Sequence, residues 1–201
     1  PYLMSIFANW KETMKRRRKA GHRNELGTNL ERVEMTMHVG THIDALGHVS
    51  IGDRLFNNRS AENVVTNWGL EELGAEHIPP MITRGLLFDV GGKEGLESGQ
   101  VVSVDDLKRA ADHGKFTVEV GDVAMIRTGW GRHYEVDNAK YLDGEPGIDV
   151  AGAEWLINQG VVAIAADNMA VEVLPNPDPS LSLPVHQLAL ADHGVYLIEN
   201  L

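Results

Sequence analysis

The segment His38-Val39-Gly40-Thr41-His42-Ile43-Asp44-Ala45-Leu46-Gly47-His48 gathers three of the chain's nine histidines around one aspartate. Neutral imidazole and carboxylate are good ligands for zinc, manganese or iron. The spacing, H-x3-H-x-D-x3-H, also constrains the backbone. In a helix His38 and His42 would share a face and Asp44 would lie off it, and Gly40 and Gly47 would weaken that helix. Just before, Val33, Met35 and Met37 alternate with Glu34, Thr36 and His38, the period of a strand. A strand that runs into a tight loop fits better, with Gly40 permitting close backbone approach. The bland alternative is a set of hydrogen-bonding histidines in a polar loop; the density of donors argues against it. Spacing alone supports a metal site of unspecified chemistry, since it is not the helical H-E-x-x-H of zinc proteases.

Strands and helices alternate beyond this segment. Residues 60–66 read as a short helix with Ser60 as N-cap. Residues 84–90, with Leu86-Leu87-Phe88 between glycines, read as a buried strand. Residues 103–113 form a clear helix: Ser103 can cap it, Asp105 and Asp106 favour its positive end, and Gly114 ends it. Strands are expected at 123–127, 161–166 and 195–198, and helical segments at 150–158 and 186–192. On the N-terminal side, residues 1–20 read as a helix and its approach, and 21–28 as a polar loop. This pattern predicts an α/β fold with a mixed sheet. No linker or repeat divides the chain, so a single domain over 1–201 is expected, with 1–29 an N-terminal helix and loop. The chain opens on Pro rather than Met, which leaves room for residues before it.

The net charge of −11 argues against broad nucleic-acid binding. The basic run Lys15-Arg16-Arg17-Arg18-Lys19 goes against that balance and reads as a solvated helix face. The absence of cysteine excludes disulfides, thiolate nucleophiles and cysteine-based zinc sites, and fits a cytoplasmic protein. No apolar run approaches the roughly 18 residues of a membrane span. There is no G-x-S-x-G elbow, phosphate loop or G-x-G-x-x-G, which weakens serine-hydrolase, P-loop and dinucleotide readings.

Four further residues are candidates singly. His186 begins a helical segment after Pro184, and Glu199 ends an apolar strand, where a carboxylate is often merely exposed. Asp167 follows the strand 161–166, where α/β folds gather function; its bland reading is a turn or cap. Trp130 follows Arg127-Thr128-Gly129 and is either core packing or a wall for a flat substrate. His22, His77, His113, His133 and His193 read as surface or cap residues.

The stretch 38–48 resembles the H-x-G-T-H-x-D-x-P-x-H signature of the cyclase superfamily of metal-dependent hydrolases, which includes bacterial kynurenine formamidase and isatin hydrolase. Leu46 stands where that pattern has Pro, implying a changed loop rather than a lost metal. Residues 83–90 are similar to the family's R-G-x-L-x-D strand and 121–130 to its G-D-x-x-x-x-R-T-G turn. Residues 155–167 resemble its helix, strand and G-x-D segment, with Ala165 in place of Gly. Residues 186–201 resemble its closing H…E-N-L. The resemblance implies a swivelling β/β/α domain that binds one or two ions of Zn2+ or Mn2+. His38, His42 and Asp44 would hold the first ion. His48 would act as base or, with His186 and Glu199, as ligand to a second ion bridged by Asp44. It also implies a homodimer or homotetramer, and N-terminal residues that contact substrate in relatives. The expected activity is hydrolysis of a carbon–nitrogen bond in an aryl formamide or cyclic amide by metal-activated water. Trp130 and Asp167 are possible substrate contacts, and the partner is a small molecule, with no nucleic acid and no membrane. The alternatives are a lactone hydrolase, or a non-catalytic metal or small-ligand binding protein on the same scaffold.

Overall fold

The computed structural model describes residues 2–201. It divides into two compact units, one ending at Val39 and the other running from Gly40 to Leu201.

In the N-terminal unit, strands β1 (Tyr2–Ala8) and β2 (Leu30–Met35) pair antiparallel, with Met4 opposite Val33. Between them lies helix α1 (Trp10–Lys19), whose N-cap Asn9 accepts the Glu12 N–H. Arg16, Arg17, Arg18 and Lys19 of the basic run fall in its last turn, where positive charge complements the helix dipole. Buried Thr13 fastens the helix to the following loop: its hydroxyl donates to the Thr28 carbonyl (2.9 Å) and accepts the Thr28 N–H (2.8 Å). Strand β1 corrects the expectation of a helix and its approach over 1–20. Leu3, Met4, Ile6 and Phe7 put apolar side chains on both faces of the strand, so no alternation marks it.

The second unit is built on a five-stranded sheet of β3 (His42–Asp44), β4 (Gly85–Asp89), β5 (Val123–Arg127), β6 (Ala163–Ala166) and β7 (Tyr196–Glu199). The order is β3-β7-β6-β5-β4; β4 to β7 are parallel and β3 lies antiparallel on β7. This is the mixed α/β arrangement expected. Every residue of β6, Ala-Ile-Ala-Ala, is buried, as a central parallel strand covered on both faces requires. Helices α2 (Val104–Gly114) and α3 (Val150–Asn158) pack Leu107 and Leu156 with Phe88, Ile126, Ile164 and Leu197 in one core. Helix α2 starts at the Ser103 cap, where Ser103 and Asp106 bond reciprocally to each other's backbone N–H. The expected helix over 60–66 is shorter, Ala61–Val64, because Val65–Thr66 turns into a small antiparallel pair with Gly69–Leu70. A last helical turn, α4 (Pro184–His186), continues into a wider turn over Gln187–His193. Among the described residues no helix is long and apolar enough to cross a membrane.

Arg84 and Asp122 tie the entries of β4 and β5 together. The guanidinium donates to both carboxylate oxygens, at 2.9 and 2.7 Å. That bond to Arg84 holds the Asp122 carboxyl below its ordinary pKa.

Candidate metal centre

The antiparallel register of β3 on β7 sets His42 directly opposite Glu199, and Asp44 opposite Leu197. Residues two apart on a strand share a face, so His42, Asp44 and Glu199 project to the same side. His42 Nε2 lies 3.1 Å from Glu199 Oε2 and 3.6 Å from Asp44 Oδ1. Each of these three residues offers one ligand atom within 4.8 Å of the others. At the start of the strand Gly40 takes φ +61°, and its carbonyl lies 2.8 Å from His42 Nδ1. A carbonyl can only accept, so Nδ1 carries a proton, and Nε2 turns toward the carboxylates.

A tight turn follows, closed by the His48 N–H donating to the Ala45 carbonyl (2.9 Å). Leu46, the residue in place of Pro, packs into the core, so the turn is pinned by burial. Gly47 lies close to the next segment: a Cβ there would stand 3.2 Å from the Leu73 carbonyl oxygen and would displace Leu70 Cδ1. The turn brings His48 Nε2 to 3.9 Å from Asp44 Oδ2, with 35% of its side chain exposed. From the other side α4 delivers His186, whose Nε2 lies 3.6 Å from Asp44 Oδ2 and 3.1 Å from Glu199 Oε1. The His48 and His186 rings stand edge to face at 6.4 Å.

The buried Asp44 carboxylate is thus ringed by the Nε2 atoms of His42, His48 and His186, with Glu199 alongside. Two carboxylates and three imidazoles gathered at one place make a site that favours positive charge. The donor set therefore fits a cation such as Zn2+ or Mn2+. Local fields divide the histidines. Burial lowers the His48 pKa, the nearby His186 and His42 lower it further, and Asp44 offsets only part of this. Burial also opposes protonation of His186, but bonds to Glu172 and Glu199 outweigh it and raise its pKa to about 9.

His38 closes the N-terminal unit, with an exposed side chain and its N–H donating to Thr36 Oγ1 (3.2 Å). Trp130 is fully buried and donates its indole N–H to the Tyr141 carbonyl (3.2 Å). That is its core-packing alternative; a ring with no exposure presents no wall to a ligand. The Asp167 carboxylate accepts from Thr128 N–H and hydroxyl and from Gly129 N–H, at 2.6–2.8 Å, and so organises the turn after β5.

Sequence reasoning passed over three buried residues beside the site: Glu172, Glu145 and Asn168. Glu172 Oε1 lies 2.6 Å from His186 Nδ1. One signal was available, a lone acid inside the apolar run Ala170-Val171-Glu172-Val173-Leu174.

The model of the family described as "Putative cyclase" matches residues 4–173. Among solved structures, one of a novel cyclase has a TM-score of 0.79 and 26% identity, over 100% of this chain and 67% of its own. Isatin hydrolase A from Ralstonia solanacearum has a TM-score of 0.64 and 18% identity, over 100% of this chain and 68% of its own. A "predicted metal-dependent hydrolase" from Bacillus stearothermophilus has a TM-score of 0.56 and 16% identity, over 99% of this chain and 70% of its own. The last two, at under a quarter identity, share the fold. No curated protein sequence matches the chain.

Proposed function

The chain belongs to the cyclase family, and from that premise we propose that it is a metal-dependent hydrolase of a carbon–nitrogen bond in an aryl formamide or cyclic amide. The observation that carries this reading is the convergence of His42, Asp44, His186 and Glu199 on one point, with His48 at the rim. By the family resemblance, His38, His42 and Asp44 would hold a first ion. His48, His186 and Glu199, together with Asp44, would hold a second. The bound Zn2+ or Mn2+, one ion or two, would supply a Lewis acid that polarises a carbonyl and acidifies a water.

The chain's own residues then divide the work. The Gly40 carbonyl holds the His42 ring in register. Asp44, buried between the imidazoles, supplies the negative charge that keeps the cation in place. A third of the His48 side chain is exposed, and burial of the rest lowers its pKa, which favours the neutral form that can accept a proton. With a single ion, its Nε2 accepts the water's proton and returns it to the leaving nitrogen; with two, it serves as a ligand. No covalent intermediate is needed, which suits a chain without cysteine. Such a chain needs no oxidising compartment, and we place it in the cytoplasm.

We also propose that the chain self-associates. The β1–β2 hairpin leaves Met4, Ile6, Val33 and Met35 exposed. The N-terminal unit holds eight Lys and Arg against four Asp and Glu, whereas the rest of the chain holds ten against twenty-five.

Elemental analysis of the purified protein, paired with assays on N-formylkynurenine, isatin and simple lactones, tests the activity. We expect bound metal and turnover of an amide, both lost in His42→Ala. Full metal content and activity in His42→Ala would sink the site assignment. Turnover of lactones alone would move the substrate class, and metal binding without hydrolysis would leave a binding protein.

A further inference from the structure

The segment Asn168–Glu172, just after β6, adopts a backbone its sequence does not favour. Val171 sits at φ +61°, a left-handed conformation that is uncommon for any non-glycine residue and strained for a β-branched one. Such strain persists only where the surroundings over-determine it. Here they do. Asn168 Oδ1 accepts the Val171 N–H (2.9 Å), and its Nδ2 donates to the Pro146 carbonyl (2.6 Å). The Glu145 carboxylate accepts the N–H groups of Met169 and Ala170, both at 2.8 Å. Ala170 O accepts the Glu172 N–H at 2.5 Å, closing a three-residue turn on Val171.

This turn directs Glu172, which is completely buried, at the first turn of α4. Its carboxylate accepts the backbone N–H groups of Val185 (3.3 Å) and His186 (3.0 Å), and its Oε1 lies 2.6 Å from His186 Nδ1. One side chain therefore holds both the backbone and the ring of His186. A carboxylate on Nδ1 keeps a proton there and leaves Nε2 facing inward.

We propose that Glu172 is a positioning residue for the metal centre: it locks the His186 ring with Nε2 toward Asp44 and Glu199, and the Glu145–Asn168 network holds the Val171 turn that aims it. This rests on the reading of the site as a metal centre.

The test uses the full chain, Glu172→Gln, Glu172→Asp and, for assignment, His186→Ala. Long-range 1H–15N spectra report the His186 ring nitrogens, and Zn2+ titration calorimetry reports affinity. In the unaltered protein the Nδ1 proton should be slow to exchange, with or without Zn2+. Glu172→Gln should lose that protection and bind Zn2+ roughly 10–100-fold more weakly; Glu172→Asp, which keeps the carboxylate, should recover part of both. A Gln variant with unchanged Nδ1 protection and unchanged affinity would overturn the proposal. If the unaltered protein binds no Zn2+, the metal reading fails, and loss or retention of Nδ1 protection in Glu172→Gln still decides the role of Glu172. Should Gln fail to fold, Asp carries the comparison. Should both fail, an unprotected Nδ1 proton in the unaltered protein overturns the proposal and a protected one supports it.

Discussion

His48 and His186 face the same Asp44 carboxylate under opposite conditions: one is partly exposed with its pKa held down, the other is sealed between Glu172 and Glu199 with its pKa pushed up. Replacing His48 by Ala should lower kcat by about 10²–10⁴-fold, the usual contribution of a positioned base, while bound metal is retained in the one-ion form; steady-state kinetics with elemental analysis checks both. Glu145 predicts a pH effect on stability. Burial first of all raises its pKa from the ordinary 4.5 to about 8. Between those values the folded state binds more protons than the unfolded one, so this group's contribution to stability falls as pH rises toward 8. Thermal melts across that range should show the decline, with a shallower slope in Glu145→Gln; an unchanged slope would rule Glu145 out as the source. At this scale the sequence was legible where donors crowd together, as in His38 to His48. His186 and Glu199 stand out only weakly and singly, and the family resemblance joins them to the site, because nothing near them in the chain announces the partner they meet. Glu172 leaves one local mark, an acid inside an apolar run, and nothing that names a ring fourteen positions away as its partner.

The elements read best were those whose own residues specify them. Helix α2 has its cap, its acidic first turn and its apolar face in one stretch of chain, and its observed start is the predicted one. Ser103→Ala should cost about 1 kcal/mol, measured by urea denaturation, because it breaks the capping box. Strand β3 is only three residues long, and what makes it a strand is its pairing with β7, a contact no local pattern reveals. The turn over Asn168–Glu172 is similar, because partners from elsewhere impose a conformation valine disfavours. Asn168→Ala would strand the Val171 N–H and the Pro146 carbonyl, so we expect a loss of about 1–3 kcal/mol for each group left unsatisfied in the interior. A denaturation midpoint equal to that of the unaltered chain would show that the network does not hold the turn.

Across the whole molecule, opposite charge on the two units and an exposed apolar hairpin predict assembly that weakens when the hairpin is made polar. Light scattering should show a dimer or larger species for the unaltered chain, and Met4→Glu with Val33→Glu should shift it to the monomer; a monomer from the outset would refute the assembly. The mixed sheet has one more implication, which concerns the making of the protein. Among the described residues its edge strand β3 pairs with β7 alone, and Thr41 and Asn200, 159 positions apart, share a hydrogen bond. Contacts of such long sequence separation form late, after the loop between them has closed. While the chain is still being synthesised, His42 and Asp44 have left the ribosome long before β7 exists to hold them in register. A polypeptide interrupted short of β7 would carry its most recognisable donors yet lack the scaffold that aligns them. On the proposed reading, metal binding then reports completion: a chain cut short of β7 lacks Glu199 and the pairing that aligns His42 with Asp44, and should bind Zn2+ more weakly than the whole chain.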